Sequence, residues 1–67
     1  MEKEWVCIYI TNNEYRAHLA KEMLADHDIE SVIINKKDSS YGFGELEVYV
    51  MTDVVIRAKM LVNDFDH

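Results

Sequence analysis

The chain has 67 residues, which is enough for one small domain spanning residues 1–67 and too few for a second. Of these residues 49% are apolar and 30% are charged, a balance that excludes a disordered chain. The net charge of −6 argues against nucleic-acid binding, because an acidic protein repels phosphate backbones.

Cysteine content and hydropathy limit the remaining classes. Cys7 is the only cysteine, so an internal disulfide and a four-cysteine zinc site are excluded. No apolar run approaches the roughly 20 residues of a membrane span, and the first residues carry no signal-peptide core. We therefore expect a cytoplasmic protein that binds no membrane, cofactor or metal. A chain this short buries only about 60% of its unfolded surface, so self-association is the available source of added stability.

The first half of the chain predicts a strand and then a helix. Residues 5–10 are β-branched and aromatic, which favours a strand. Thr11 followed by Glu14 has the form of a capping box and predicts a helix that continues to about residue 27. Asp28 then stands where the end of a helix favours a left-handed residue. Strict alternation divides the strand into an inner row and an outer row: Val6, Ile8 and Ile10 inside, Trp5, Cys7 and Tyr9 outside.

The second half predicts two strands and a second helix. Residues 29–34 are nearly all apolar, and residues 45–50 alternate cleanly, with every second residue apolar and facing inward. Thr52 is the predicted N-cap of the last helix. The apolar face of that helix consists of Val54, Val55, Ala58, Leu61, Val62 and Phe65.

The resulting order is β-α-β-β-α. A right-handed crossover leaves a gap between the first two strands, and the third strand fills it antiparallel to both, which gives the order 1-3-2. Both helices then cover one face of the sheet. The prediction is an α+β ferredoxin-like half-sandwich with an open edge at the first strand. The other face carries Trp5, Tyr9 and Tyr49 with no helix assigned to it.

Residues 35–44 connect the second and third predicted strands and form the first candidate site. Lysine charges, hydroxyl donors and glycine backbone in one loop could bind a small anion or an acidic partner. Neither the Rossmann nor the P-loop spacing is present. A plain hairpin connection also needs glycine and polar residues, so a purely structural loop is the alternative. The candidate binding residues are Lys36, Lys37, Ser39, Ser40, Tyr41, Gly42 and Gly44.

Taken together, these segments resemble a small bacterial family named for signal transduction, a domain of unknown function whose fold is similar to the PII-like signalling fold. The residues that carry the resemblance are Thr11, Asn12 and Glu14, the helix leading to Met23 and Leu24, residues 29–41, residues 44–50, and Ala58 in the last helix. It implies a βαββα fold and a sensory or regulatory role, and it supplies no ligand and no catalytic residue. In PII-like proteins the corresponding loop carries the signal, which favours residues 35–44. Relatives commonly carry glycine where this chain has Asp28.

The leading functional prediction is a non-enzymatic regulatory module that binds a protein partner or a small anionic ligand through residues 35–44. The alternative is a structural homo-oligomer whose interface uses the aromatic sheet face, with Trp5, Tyr9 and Tyr49, and the open edge of the first strand. Aromatic residues are enriched at interface cores. Loop residues Tyr41 and Phe43 could instead fold back over that face. An enzyme is the least favoured class, because catalysis needs converging titratable groups and the sequence shows no such cluster.

Overall fold

The computed structural model describes residues 4–38 and 43–65, and the side chains at all of these positions except 37, 38, 43 and 44. Its three strands are antiparallel neighbours in the order β1-β3-β2. The α+β architecture and the βαββα order are therefore confirmed. The elements are β1 (Trp5–Thr11), α1 (Glu14–Asp26), β2 (Ser31–Asp38), β3 (Phe43–Met51), a 3₁₀ turn (Thr52–Val54) and α2 (Val55–Phe65).

The core lies between one face of the sheet and both helices. Central strand β3 alternates as predicted and buries Val48 and Val50 completely. The helices approach closely because alanine is the residue at several of the contact positions, among them Ala17 and Ala58, which have no exposed surface. The residues that form this core are Ala17, Leu24, Ile29, Leu46, Val48, Val50, Ala58 and Val62.

Strand β1 departs from the predicted alternation. Cys7 pairs with Tyr49, whereas Tyr9 pairs with Val48, so Ile8 is an extra residue in a β-bulge. The alternation alone cannot locate such a bulge, because residues 5–10 are apolar on both faces. Every β1 residue after the bulge lies on the opposite side from the one predicted.

The bulge reverses the sides assigned to Tyr9 and Ile10. Tyr9 packs on the helix side, where its ring meets that of Phe65 edge to face with the ring centroids 6.1 Å apart. Ile10 pairs with Glu47 on the other side and is 56% exposed. The predicted positions of Ile10 in the core and of Tyr9 on the uncovered face are both wrong.

The segment predicted as a loop at residues 35–44 is largely strand. β2 extends through Asp38 and β3 begins at Phe43, with Lys36 opposite Glu45 and Lys37 opposite Gly44. The hairpin strands extend further than predicted, because polar residues can continue a ladder once its apolar part has fixed the register.

Helix α1 begins two residues later than the capping box predicts. Asn13 is the N-cap, and its Oδ1 accepts a hydrogen bond from the Arg16 N–H at 3.2 Å. Thr11 is the last residue of β1, and its Oγ1 accepts from the Asn13 N–H at 3.1 Å. The hydroxyl therefore orders the turn before the helix and does not cap the helix itself.

The end of α1 follows the prediction for Asp28. This residue has a φ of 61°, in the left-handed region. The Asp28 N–H donates to the Ala25 carbonyl at 3.0 Å and the Ile29 N–H to the Leu24 carbonyl at 2.9 Å, the two hydrogen bonds of a Schellman motif. Ile29 and Leu24 are both buried, so the motif also fixes the chain's entry into β2.

Replacing Asp28 with glycine should stabilise the protein. A non-glycine residue in the left-handed region costs about 1 kcal/mol, and glycine removes most of that cost. We expect Asp28→Gly to raise the midpoint of thermal unfolding by roughly 4–8 °C for a domain of this size. Circular dichroism melts of both proteins test this, and an unchanged or lower midpoint would show that Asp28 is not strained.

Thr52 joins two parts of the chain and does not cap a helix as predicted. Its Oγ1 donates to the Glu4 carbonyl at 2.8 Å, and its N–H donates to the same oxygen at 2.9 Å. The helix instead begins through the 3₁₀ turn, whose preceding residue Met51 makes no side-chain cap. Thr52 thus fixes the start of β1 beside the start of this turn.

Candidate functional site

The side of the sheet away from the helices is the first candidate site and is called the open face below. Neither of the described helices lies on it. Two rows across the strands define it: Cys7, Tyr49 and Val32 form one row, and Ile10, Glu47 and Ile34 form the next. Trp5 lies on the same face at the start of β1, two positions before Cys7.

The open face contains an apolar groove of about 440 Å³. It is lined by Trp5 from β1, Tyr49 from β3, and Val32 and Ile34 from β2. Trp5 and Ile34 are each 43% exposed, which is high for side chains of this kind. Contiguous exposed apolar surface of this kind is typical of interaction sites.

A hydrogen-bonded carboxylate lies beside the groove. Glu47 is only 9% exposed although it lies on the open face, between Ile10 and Ile34. The Tyr49 hydroxyl donates to Glu47 Oε1 at 2.7 Å, and Lys36 Nζ lies 3.5 Å from the same oxygen. The buried carboxylate therefore has both a hydrogen-bond donor and a counter-ion, as such groups require.

This arrangement changes the titration of Tyr49. The hydrogen bond to Glu47 raises the pKa of Tyr49 above its usual value, and desolvation and the negative charge of Glu47 raise it further. A raised phenol pKa stabilises the fold at pH values below the unfolded pKa near 10, and this contribution is lost as pH rises through the folded pKa.

Removing the carboxylate charge should lower the pKa of Tyr49 toward its ordinary value. We expect Glu47→Gln to do so while keeping the shape of the side chain. Tyrosinate absorbance measured against pH, with Tyr49→Phe subtracted to isolate this ring, gives the value directly. A Tyr49 pKa that is the same with Glu47 and with glutamine would contradict the assigned hydrogen bond.

The predicted anion site is not assembled from the two lysines in the described structure. Lys36 and Lys37 occupy successive positions of β2, which belong to opposite faces of the sheet. Lys36 Nζ lies 3.5 Å from Glu47 Oε1 on the open face. Gly44 is part of β3, and Ser39, Ser40, Tyr41 and Gly42 lie outside the described residues.

The aromatic site was predicted in part. Trp5 and Tyr49 both line the groove on the open face, as the alternation of their strands predicts. Tyr9 does not, because the bulge places it against the core. Val32 and Ile34 were missed as groove residues. The available signal was the uninterrupted apolar run at residues 32–34, which makes both faces of β2 apolar.

A second cleft in the described structure is a weaker candidate site. A shallow cleft of about 290 Å³ lies near the N-terminal end of α1, lined by Asn13, Tyr15, Arg16, Leu19 and Phe65. Among residues 4–38 and 43–65, no three histidine, cysteine or acidic side chains converge as metal ligands would. In the same part of the chain no helix has the length and apolar character needed to cross a membrane.

The fold and the site define a small α+β half-sandwich with helices on one face of its sheet and an apolar groove on the other. The chain belongs to the family described as "putative prokaryotic signal transducing protein", whose model matches residues 5–66. That match covers all the described elements and confirms the resemblance drawn from the sequence. No curated protein and no solved structure matches the chain. The family description gives signal transduction as the general role and names no ligand or partner.

Proposed function

We propose that this protein is a non-enzymatic regulatory module that binds a partner protein through the open face and the adjoining hairpin of residues 35–44. The observation that carries the proposal is the groove lined by Trp5, Val32, Ile34 and Tyr49. An apolar segment of a partner, with an aliphatic or aromatic anchor, suits a groove of this composition.

The position of Lys36 supports a binding surface that includes the hairpin. Its side chain is 64% exposed and contacts Glu47 at the edge of the apolar groove. An apolar centre with a charged rim is the usual composition of a protein interface. A small anionic ligand is a weaker candidate, because Lys36 and Lys37 belong to opposite faces of the sheet.

Charge reversal in the hairpin tests the proposal. We expect Lys36→Glu combined with Lys37→Glu to weaken partner binding. The partner is first captured by affinity with immobilised wild-type protein and then purified for the binding measurement. Lys21→Glu combined with Lys59→Glu makes the same charge change at exposed helix positions and should leave binding intact. A thermal-shift screen against nucleotides and inorganic anions covers the small-ligand case. Partner and anion binding that is unaffected by the hairpin reversal would refute a role for the hairpin.

A second candidate function is self-association through the open face. The exposure of Trp5 and Ile34 supports it, because a 67-residue domain gains much from additional burial. Tyr9 lies on the other side of the sheet, partly buried against the core, and is therefore left out of this interface. If copies associate face to face, Trp5→Ala should reduce the molecular mass in solution, and Ile56→Ala on the exposed side of α2 should not.

A further inference from the structure

The two edge strands of the sheet differ in regularity. β1 contains the bulge at Ile8, which interrupts the ladder that another strand would need for pairing. β2 pairs with β3 residue for residue from Ser31 to Asp38 with no bulge. Within the described part of the chain, β2 is therefore the regular edge, and its outer backbone groups are available to another strand.

Charges of opposite sign lie on either side of the apolar part of β2, residues 32–34. Glu30 directly precedes the strand, Lys36 lies near its other end, and both are exposed. Val32, Ile34 and Lys36 alternate along the open face, and Glu30 occupies the next alternate position, directly before the first paired residue Ser31. The open-face row along this edge is thus acidic, apolar, apolar and basic.

We infer that β2 pairs antiparallel with β2 of a second copy, centred on Ile33, so that two three-stranded sheets become one sheet of six strands. In this register Glu30 stands opposite Lys36 of the second copy, and Val32 stands opposite Ile34. Cross-strand pairs of opposite charge and of β-branched residues are both stabilising. This contact lies at the edge of the sheet, whereas the second candidate function uses the open face, so the inference depends on neither candidate function.

The charges select this register over its neighbours. A two-fold pairing that keeps both open faces on the same side must be centred on a residue. The nearest alternative registers are therefore centred on Val32 and on Ile34. Centred on Val32, the pairing would place Glu30 opposite Ile34, and centred on Ile34 it would place Glu30 opposite Asp38, a like charge. Charges on an edge strand ordinarily deter pairing. Here Glu30 and Lys36 are symmetric about Ile33, so each of these two charges meets its complement.

The pairing would also extend the binding surface. Val32 and Ile34 line the groove and would stand at the joint between the two copies. The grooves of both copies would then lie side by side on one continuous sheet face. A partner that binds the open face would meet twice the apolar surface that one copy presents.

Charge reversal with rescue by mixing tests the inference. We expect sedimentation of the wild-type protein to show a dimer of about twice the chain mass of 7.9 kDa. The two-fold pairing contains two pairs of position 30 with position 36. Glu30→Lys and Lys36→Glu each place like charges in both pairs, and each should raise the dissociation constant of the dimer about tenfold or more. An equimolar mixture of the two variants restores opposite charges in both pairs and should form the heterodimer.

The direction in which Glu30→Lys changes dimerisation distinguishes strand pairing from general charge repulsion. Glu30→Lys changes the net charge from −6 to −4, so general repulsion between copies falls while the proposed dimer weakens. Glu22→Lys on the exposed side of α1 makes the same charge change and should leave the dimer intact. Circular dichroism of every variant confirms that the fold is retained.

Three results would overturn the inference. The first is a wild-type protein that remains monomeric at concentrations up to about 0.5 mM. The second is a mixture of the two charge variants that associates no better than either alone. The third is dissociation of the dimer by Trp5→Ala without any effect of the charge reversals, which would place the contact face to face.

Discussion

Tyr9→Thr should lower the free energy of unfolding by about 3 kcal/mol, whereas Ile10→Thr should change it by less than about 1 kcal/mol. Tyr9 lies against the core and meets Phe65 edge to face, so threonine removes both the burial and the ring contact. Ile10 is 56% exposed, and threonine retains its β-branched shape. A domain of 67 residues has roughly 3–10 kcal/mol of stability, so the first change removes a large part of it.

Urea titrations of both variants, extrapolated to water, measure this difference. The comparison is matched, because the two positions are adjacent and receive the same residue. A regular strand without the bulge at Ile8 would give the opposite order, with Ile10→Thr the more damaging change. That order would contradict the assignment of Trp5, Ile10 and Tyr49 to one face.

Ala17→Leu should cost about 2–3 kcal/mol, because α1 lies so close to the sheet that no space remains for a larger side chain. Ala17 has no exposed surface and belongs to the core together with Leu24 and Val48. The added carbon atoms must displace the helix or force strained rotamers in its neighbours.

Ala25→Leu is the control for this change. Ala25 lies on the exposed side of the same helix, so leucine there adds the same atoms without a clash and should leave stability nearly unchanged. Thermal melts of the two variants give the comparison. Equal midpoints for both would mean that α1 is not in close contact with the sheet.

The topology could be predicted from the sequence because the pattern of apolar residues and the order of elements allow few arrangements. The alternation at residues 45–50 fixes which face of β3 is buried, and the order of elements then leaves one antiparallel arrangement for the sheet. The left-handed position of Asp28 follows from its place after the last turn of α1.

The side of each β1 residue could not be read in the same way. Residues 5–10 are apolar at every position, so a shift of one residue at Ile8 exchanges two acceptable arrangements. The packing of Tyr9 against Phe65 favours the bulged arrangement, and that contact joins residues 56 positions apart in the chain. The N-cap was misplaced for a related reason, since Thr11 and Asn13 can both accept a backbone hydrogen bond there.

Several residues of the candidate site were predicted from the sequence, but their contacts were not. Trp5 and Tyr49 were expected on the uncovered face, and both line its groove. The lysines were expected in a loop, but Lys36 is a strand residue whose partner is Glu47. Only the hairpin register brings these two side chains together, and the extent of the pairing was not evident from the polar residues that continue it.

On the proposed function, partners bind the sheet side of this protein. The helix side offers a rival surface, since Ile56 on α2 is 79% exposed and Met60, one turn further along, is 67% exposed. Photo-crosslinking inside the cell compares the two sides directly. A benzophenone amino acid replaces Trp5 in one variant and Ile56 in the other, and mass spectrometry identifies the adducts. We predict adducts to a partner protein or to a second copy from position 5 and none from position 56. Adducts from position 56 alone would contradict binding at the sheet side.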